Sequence, residues 1–153
     1  MRSDRLLRAA AAAFGVLFVL VVAVGWVPGL IQHQHHERLL LGLFKLSMLD
    51  DITHGVTAVA LLAAALHSGR AARFAFVTFG SYYALDAIFF LVNGVVTAQP
   101  PMDNLMLNAP HVAISAIMLT LAYGRLAQDV PATARGTTAA GTSRAGATAA
   151  ATR

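Results

Sequence analysis

Two short stretches of this chain place an acid or an amide three residues ahead of a histidine: Asp51-Ile52-Thr53-His54 and Asn108-Ala109-Pro110-His111. Imidazole is the side chain that most readily accepts a proton or binds a metal near neutral pH. Two readings of the pair are open. In one, Asp51 and Asn108 are helix N-caps, His54 and His111 stand at N3 and reach back as in a capping box, and Pro110 sits in the first turn, where its missing N–H does no harm. In the other, both histidines converge on the outer side of a helix bundle and offer nitrogens to a metal or haem iron, although zinc sites usually need three or four protein ligands. A third feature is Asp86, in the middle of an apolar run, where a charge facing lipid costs at least about 2.5 to 3.5 kcal/mol. It is therefore expected to face inward. On helical spacing Tyr82, Tyr83, Asp86, Phe90 and Asn93 share one stripe, so a tyrosine hydroxyl one turn away can bond the carboxylate. Asp86 is then either a proton relay or cation site, or a protonated, hydrogen-bonded residue that holds helices in register. Asn108, His111, Ser115 and Met118 form a matching stripe, and His54 and Thr57 begin another. His33, His35 and His36 make a loop cluster that reads as polar spacing rather than a metal site.

Other chemistries find no footing. The chain has no cysteine, no Gly-x-Ser-x-Gly elbow and no phosphate-cradling loop. An enzyme is not expected, nor is a resident cofactor.

The elements that would position these residues are membrane helices. Apolar residues reach 58% and charged residues only 12%, against roughly 45–50% and 25% in soluble domains. Apolar runs at about 9–31, 48–67, 74–97 and 105–123 are long enough to cross about 30 Å of hydrocarbon. The uncharged core of the second, Ile52 to Leu66, is short, which is accounted for where Asp50 and Asp51 cap it at the surface. Pairs such as Ala60 and Ala64, or Ala109 and Ala113, have the spacing that lets membrane helices approach closely. The expected fold class is all-α, a four-transmembrane-helix bundle over residues 1–127, followed by a disordered tail over 128–153 poor in large side chains.

Basic residues set the direction. Arg2, Arg5, Arg8, Arg70, Arg73, Arg125, Arg135, Arg144 and Arg153 flank one side, and only Arg38 and Lys45 the other. The excess places both termini in the cytoplasm of a cell-membrane protein. Trp26 and Tyr123 fall where aromatic belts form. The net charge of +4 is spread beside apolar segments rather than over one face, which excludes nucleic acid as a partner. The first run outlasts a signal-peptide core and reads as a retained helix. The longest outer loop, 32–51, carries the apolar stretch Leu39–Leu46, expected in the interface or over the bundle mouth with Lys45 toward headgroups.

The two Asp/Asn-x-x-His starts also belong to a larger repetition. Phe14-Gly15 and Pro28-Gly29 are separated as Phe79-Gly80 and Asn93-Gly94 are. Runs one and two thus read as a distant copy of runs three and four, two tandem two-helix repeats of like orientation about an axis along the membrane normal. With Leu40-Leu41-Gly42-Leu43-Phe44 before Asp51-x-x-His54, and Asp103-Asn104 before Asn108-x-x-His111, the chain resembles, over roughly residues 10–125, small bacterial four-helix membrane proteins grouped as a domain of unknown function. It departs from them in having Asp51 where Asn is usual, and in Pro110. The resemblance implies four spans and no assigned activity. The expected function is a non-enzymatic accessory or sensor component of the membrane. The alternatives are a small proton-coupled or cation transporter using Asp86, and bis-histidine metal or haem binding by His54 and His111. Expected partners are the lipid bilayer and a second copy or another membrane protein.

Overall fold

The computed structural model describes residues 2–34, 37–40, 44–45 and 47–124, with side chains over 2–31 and 47–124. Four helices account for most of it: α1 (Arg2–Val24), α2 (Met48–His67), α3 (Gly69–Val96) and α4 (Pro101–Tyr123). Helix α2 has the expected bounds. Helix α1 lies seven residues earlier than expected, and both of its ends explain the shift. Leu7 is wholly buried and Asp4 stands in the first turn, so the start is useful helix. The chain then breaks at Gly25, Pro28 and Gly29, the last at φ 92°, a conformation that suits glycine. Between α1 and α2 the backbone forms a three-stranded antiparallel meander, β1 (Ile31–Gln34), β2 (Glu37–Leu40) and β3 (Phe44–Lys45), pairing Ile31 with Leu40 and Leu40 with Phe44. This small sheet was not foreseen. The packing expected of Leu39–Leu46, the His33, His35 and His36 cluster and the tail at 128–153 concern side chains or residues outside the described set.

Ser68 alone joins α2 to α3. Its N–H donates to the Ala64 carbonyl while its hydroxyl accepts from Ala71 N, so one residue closes one helix and caps the next. Asp4 of α1 adds a second acceptor at that start, 2.7 Å from Gly69 N, where the helix dipole favours an anion. At the other end Thr97, Ala98 (φ 55°) and Gln99 lead to Pro100 and Pro101, which open α4. Helices α1 with α2 and α3 with α4 pack most extensively, and α3 also meets α1 and α2. The bundle thus has a terminal end, where α1 begins and α4 ends, and a loop end carrying the meander.

All four helices are long and apolar enough to cross a membrane, and only between 22% and 33% of the most apolar stretch of each is buried within the bundle. Exposed Leu20, Phe74, Phe89 and Val96 therefore need lipid around them.

The inward residues recur at fixed intervals. Leu7, Ala11, Gly15 and Phe18 are the buried residues of α1; 65 positions on, Ala72, Phe76, Gly80 and Tyr83 are buried in α3. Buried Asp51, Ala58, Leu61 and Ala65 of α2 correspond, 57 positions on, to buried Asn108, Ser115, Met118 and Ala122 of α4. The contacts recur too. A Cβ on Gly15 would stand 2.7 Å from Leu62 Cγ, and one on Gly80 would stand 3.1 Å from Leu119 Cγ. Arg8 Nε donates to the Ala65 carbonyl at 2.7 Å, and Arg73 Nε to the Ala122 carbonyl at 2.8 Å. Each arginine thereby satisfies an end-of-helix carbonyl that has no helical donor.

Candidate functional site

Halfway down the bundle the four helices bring polar and aromatic side chains together. Asp86 lies ten residues from the loop end of α3 and His111 ten from the start of α4, so each stands about 15 Å below the loop end, near the middle of a bilayer-sized span. Their side chains meet. His111 Nδ1 is 2.7 Å from Asp86 Oδ2, the length of a charge-assisted hydrogen bond in which the ring N–H donates. Both are partly shielded, with side-chain exposures of 27% and 22%.

His54 faces this pair from α2, its ring centroid 6.4 Å from that of His111. It is buried, and its Nδ1 finds no hydrogen-bond partner among the described residues. The repeat interval explains the orphan. Asp86 serves His111, and the residue 65 positions before Asp86 is Val21, which has no acceptor to give. Tyr83 packs beside both imidazoles, 5.5 Å from His111 and 6.2 Å from His54, and stacks on Phe18 at 5.5 Å and 10°. Its hydroxyl is 3.1 Å from Thr57 Oγ1. Since the Thr57 hydroxyl already donates to the Thr53 carbonyl at 2.8 Å, the tyrosine is the donor.

A second polar layer lies nearer the loop end. Asn108 Nδ2 donates to the backbone carbonyl and side-chain oxygen of Asn104, and Asn104 Nδ2 donates to the Leu91 carbonyl. This ladder ties α4 to α3 where Gly94 leaves room for the Asn104 side chain.

Several expectations are corrected. Asp51 and Asn108 are not N-caps. Helix α2 is capped by Ser47, whose hydroxyl accepts from Asp50 N at 3.1 Å while the Asp50 carboxylate accepts from Ser47 N at 2.8 Å. A capping box exists there, one turn earlier than Asp51 and without His54. Helix α4 starts at Pro101, which puts Asn108, Pro110 and His111 well inside it. Pro110 therefore removes a helical donor, leaving the Met106 carbonyl without one. The stripe on α3 is also rotated. Gly80, Tyr83, Ala87 and Gly94 face the core, whereas Tyr82, Phe90 and Asn93 are exposed one position round the helix. Neither tyrosine is the partner of Asp86, because Tyr83 bonds Thr57 and His111 takes the carboxylate. Of the stripe His54 and Thr57 on α2 and the stripe Asn108, His111, Ser115 and Met118 on α4, all are buried except His111, which is only partly so.

Sequence reasoning overlooked Phe18, Asn104, Arg8 and Arg73 as structural partners. Phe18 is the repeat counterpart of Tyr83, and Asn104 lies one helical turn before Asn108, so both had a traceable signal. The two arginines carry a topology signal in the sequence and no signal of their carbonyl contacts.

For a metal the fit is poor. Among the described residues no three His, Asp or Glu side chains gather as a ligand group, and His111 Nδ1 is already engaged by Asp86. For haem, Tyr83 and Phe18 fill the space beside the two imidazoles that a macrocycle would need.

No curated protein and no solved structure matches the chain. A family does: residues 8–124 match the one described as Domain of unknown function (DUF4383). The match covers three of the four membrane-capable helices whole and most of the first, and the chain belongs to this family of unknown function.

Proposed function

We propose that this protein is a non-enzymatic proton sensor of the cell membrane, with both termini in the cytoplasm, and that the Asp86–His111 pair is its sensing element. The observation that carries the reading is the 2.7 Å contact between that carboxylate and imidazole at mid-span. An intramembrane acid bonded to a histidine has two protonation states with different charge, and in a low-dielectric setting that difference alters helix packing. Other titratable groups near it are His54 on α2 and Tyr83 on α3, and buried Asp51 lies three residues before His54.

A sensor is favoured over a transporter by what lies beneath. Toward the terminal end the core closes with Leu61, Phe76, Met118 and Leu7, all wholly buried, and no ladder of polar side chains continues across the described bundle. The repeated inward pattern supports a duplicated two-helix origin, which places the pair and His54 on opposite sides of a pseudo-twofold axis.

The test uses the single tryptophan, Trp26, exposed just past the loop end of α1. In reconstituted vesicles its emission is expected to change with pH. Asp86→Asn and His111→Gln are each expected to flatten that response. A response that survives both substitutions removes the sensor reading. Proton flux lost on Asp86→Asn would select the transporter, and an absorption spectrum with elemental analysis of the same protein checks the metal and haem alternative.

A further inference from the structure

At the terminal end, α1 and α2 leave an open pocket of about 270 Å³ lined by Arg5, Arg8, Ala9, Ala12, Ala65 and Leu66. Two cations on one wall and four apolar residues on the rest is an amphipathic lining. Arg8 is held in place by the Ala65 carbonyl at 2.7 Å and the Leu66 carbonyl at 3.3 Å, with Asp4 4.0 Å away. Arg5 is exposed and makes no hydrogen bond or ion pair among the described residues. Asp4 is already engaged with Gly69 N. Positive charge is therefore in surplus at the rim of an apolar groove that opens where helices meet the headgroup region.

The other half of the bundle supplies an internal comparison. Sixty-five and 57 positions on, the lining residues correspond to Arg70, Arg73, Phe74, Val77, Ala122 and Tyr123. The arginines recur, and Arg73 makes the same carbonyl contact as Arg8. Ala9 and Ala12, however, correspond to the bulkier Phe74 and Val77.

We propose that this groove binds one anionic phospholipid, its phosphate at Arg5 and Arg8 and the upper part of an acyl chain against Ala9, Ala12, Ala65 and Leu66. The site is independent of the Asp86–His111 pair, and only the membrane setting is shared. Charge complementarity selects the head, and the apolar floor selects a lipid over a free phosphate ester.

Native mass spectrometry of the full chain in mild detergent tests it, with dioleoyl phosphatidylglycerol, dioleoyl phosphatidylcholine and glycerol phosphate as probes. The wild type is expected to retain one phosphatidylglycerol in preference to the other two. Arg5→Gln should weaken that binding about fivefold, the effect of one basic residue near an anionic headgroup, and Arg70→Gln should leave it unchanged. Ala9→Phe with Ala12→Val, which copies the residues of the other half, should abolish retention while the helical circular dichroism is kept. Equal retention by wild type and Arg5→Gln overturns the proposal, as does equal binding of the zwitterionic lipid. Glycerol phosphate binding as tightly as the lipid would also overturn it, reducing the site to a plain anion site. Should the double variant not fold, Arg5→Gln decides alone, because Arg5 supports no packing.

Discussion

At the scale of single residues, the chemistry of the centre rests on which acceptor each donor has taken. Tyr83 donates to Thr57, whose own proton is committed to the Thr53 carbonyl. Tyr83→Phe removes that bond and keeps the ring stacked on Phe18 and beside the imidazoles. It is expected to cost about 1 kcal/mol, read as a lower unfolding midpoint in a mixed-micelle denaturant titration, with the pH response of Trp26 retained. Asp86→Ala should cost more than Asp86→Asn, because asparagine keeps an acceptor for His111 Nδ1 whereas alanine leaves a half-shielded donor empty. Which side chains would matter was legible in part. Asp86, His54, His111, Tyr83 and Thr57 announce themselves as polar groups in apolar runs. Their pairing did not, because it depends on rotation about the α3 axis, where one position separates buried Tyr83 from exposed Tyr82. A stripe several residues wide does not resolve that angle.

At the scale of elements, close helix approach depends on two glycines. Adding a methyl at Gly15 meets Leu62 Cγ at 2.7 Å, and at Gly80 it meets Met118 Cβ at 3.0 Å. Gly15→Ala and Gly80→Ala are each expected to destabilise by about 1–3 kcal/mol, with the double variant near the sum, since the two contacts lie in different hairpins. Thermal melts followed by circular dichroism would check both. Ser47→Ala at the start of α2 should cost about 1 kcal/mol by removing the cap. The existence and number of helices could be read from hydropathy alone, because crossing a bilayer needs length and little else. Helix ends were harder. Lipid-facing hydropathy says nothing of Asp4 at Gly69 N or of Ser68 serving two helices, and α1 was displaced for that reason. The meander was missed because strands of four, four and two residues leave little periodicity to detect.

At the scale of the whole molecule, direction in the membrane is open to a simple experiment, since the chain has no cysteine to confuse it. Ser3→Cys is expected to react with a membrane-impermeant maleimide only after permeabilisation, and Trp26→Cys in intact cells. The reverse pattern would invert the topology argued from arginine placement. The repeated frame carries a further consequence through His54 and Val21. Two imidazoles occupy corresponding positions, yet only His111 has a carboxylate beside it. Among the described residues the centre therefore has one acid–imidazole couple, and its two halves are chemically unequal. Val21→Asp would put a carboxylate at the position corresponding to Asp86 and is expected to give His54 Nδ1 the acceptor it lacks, read as a higher thermal midpoint.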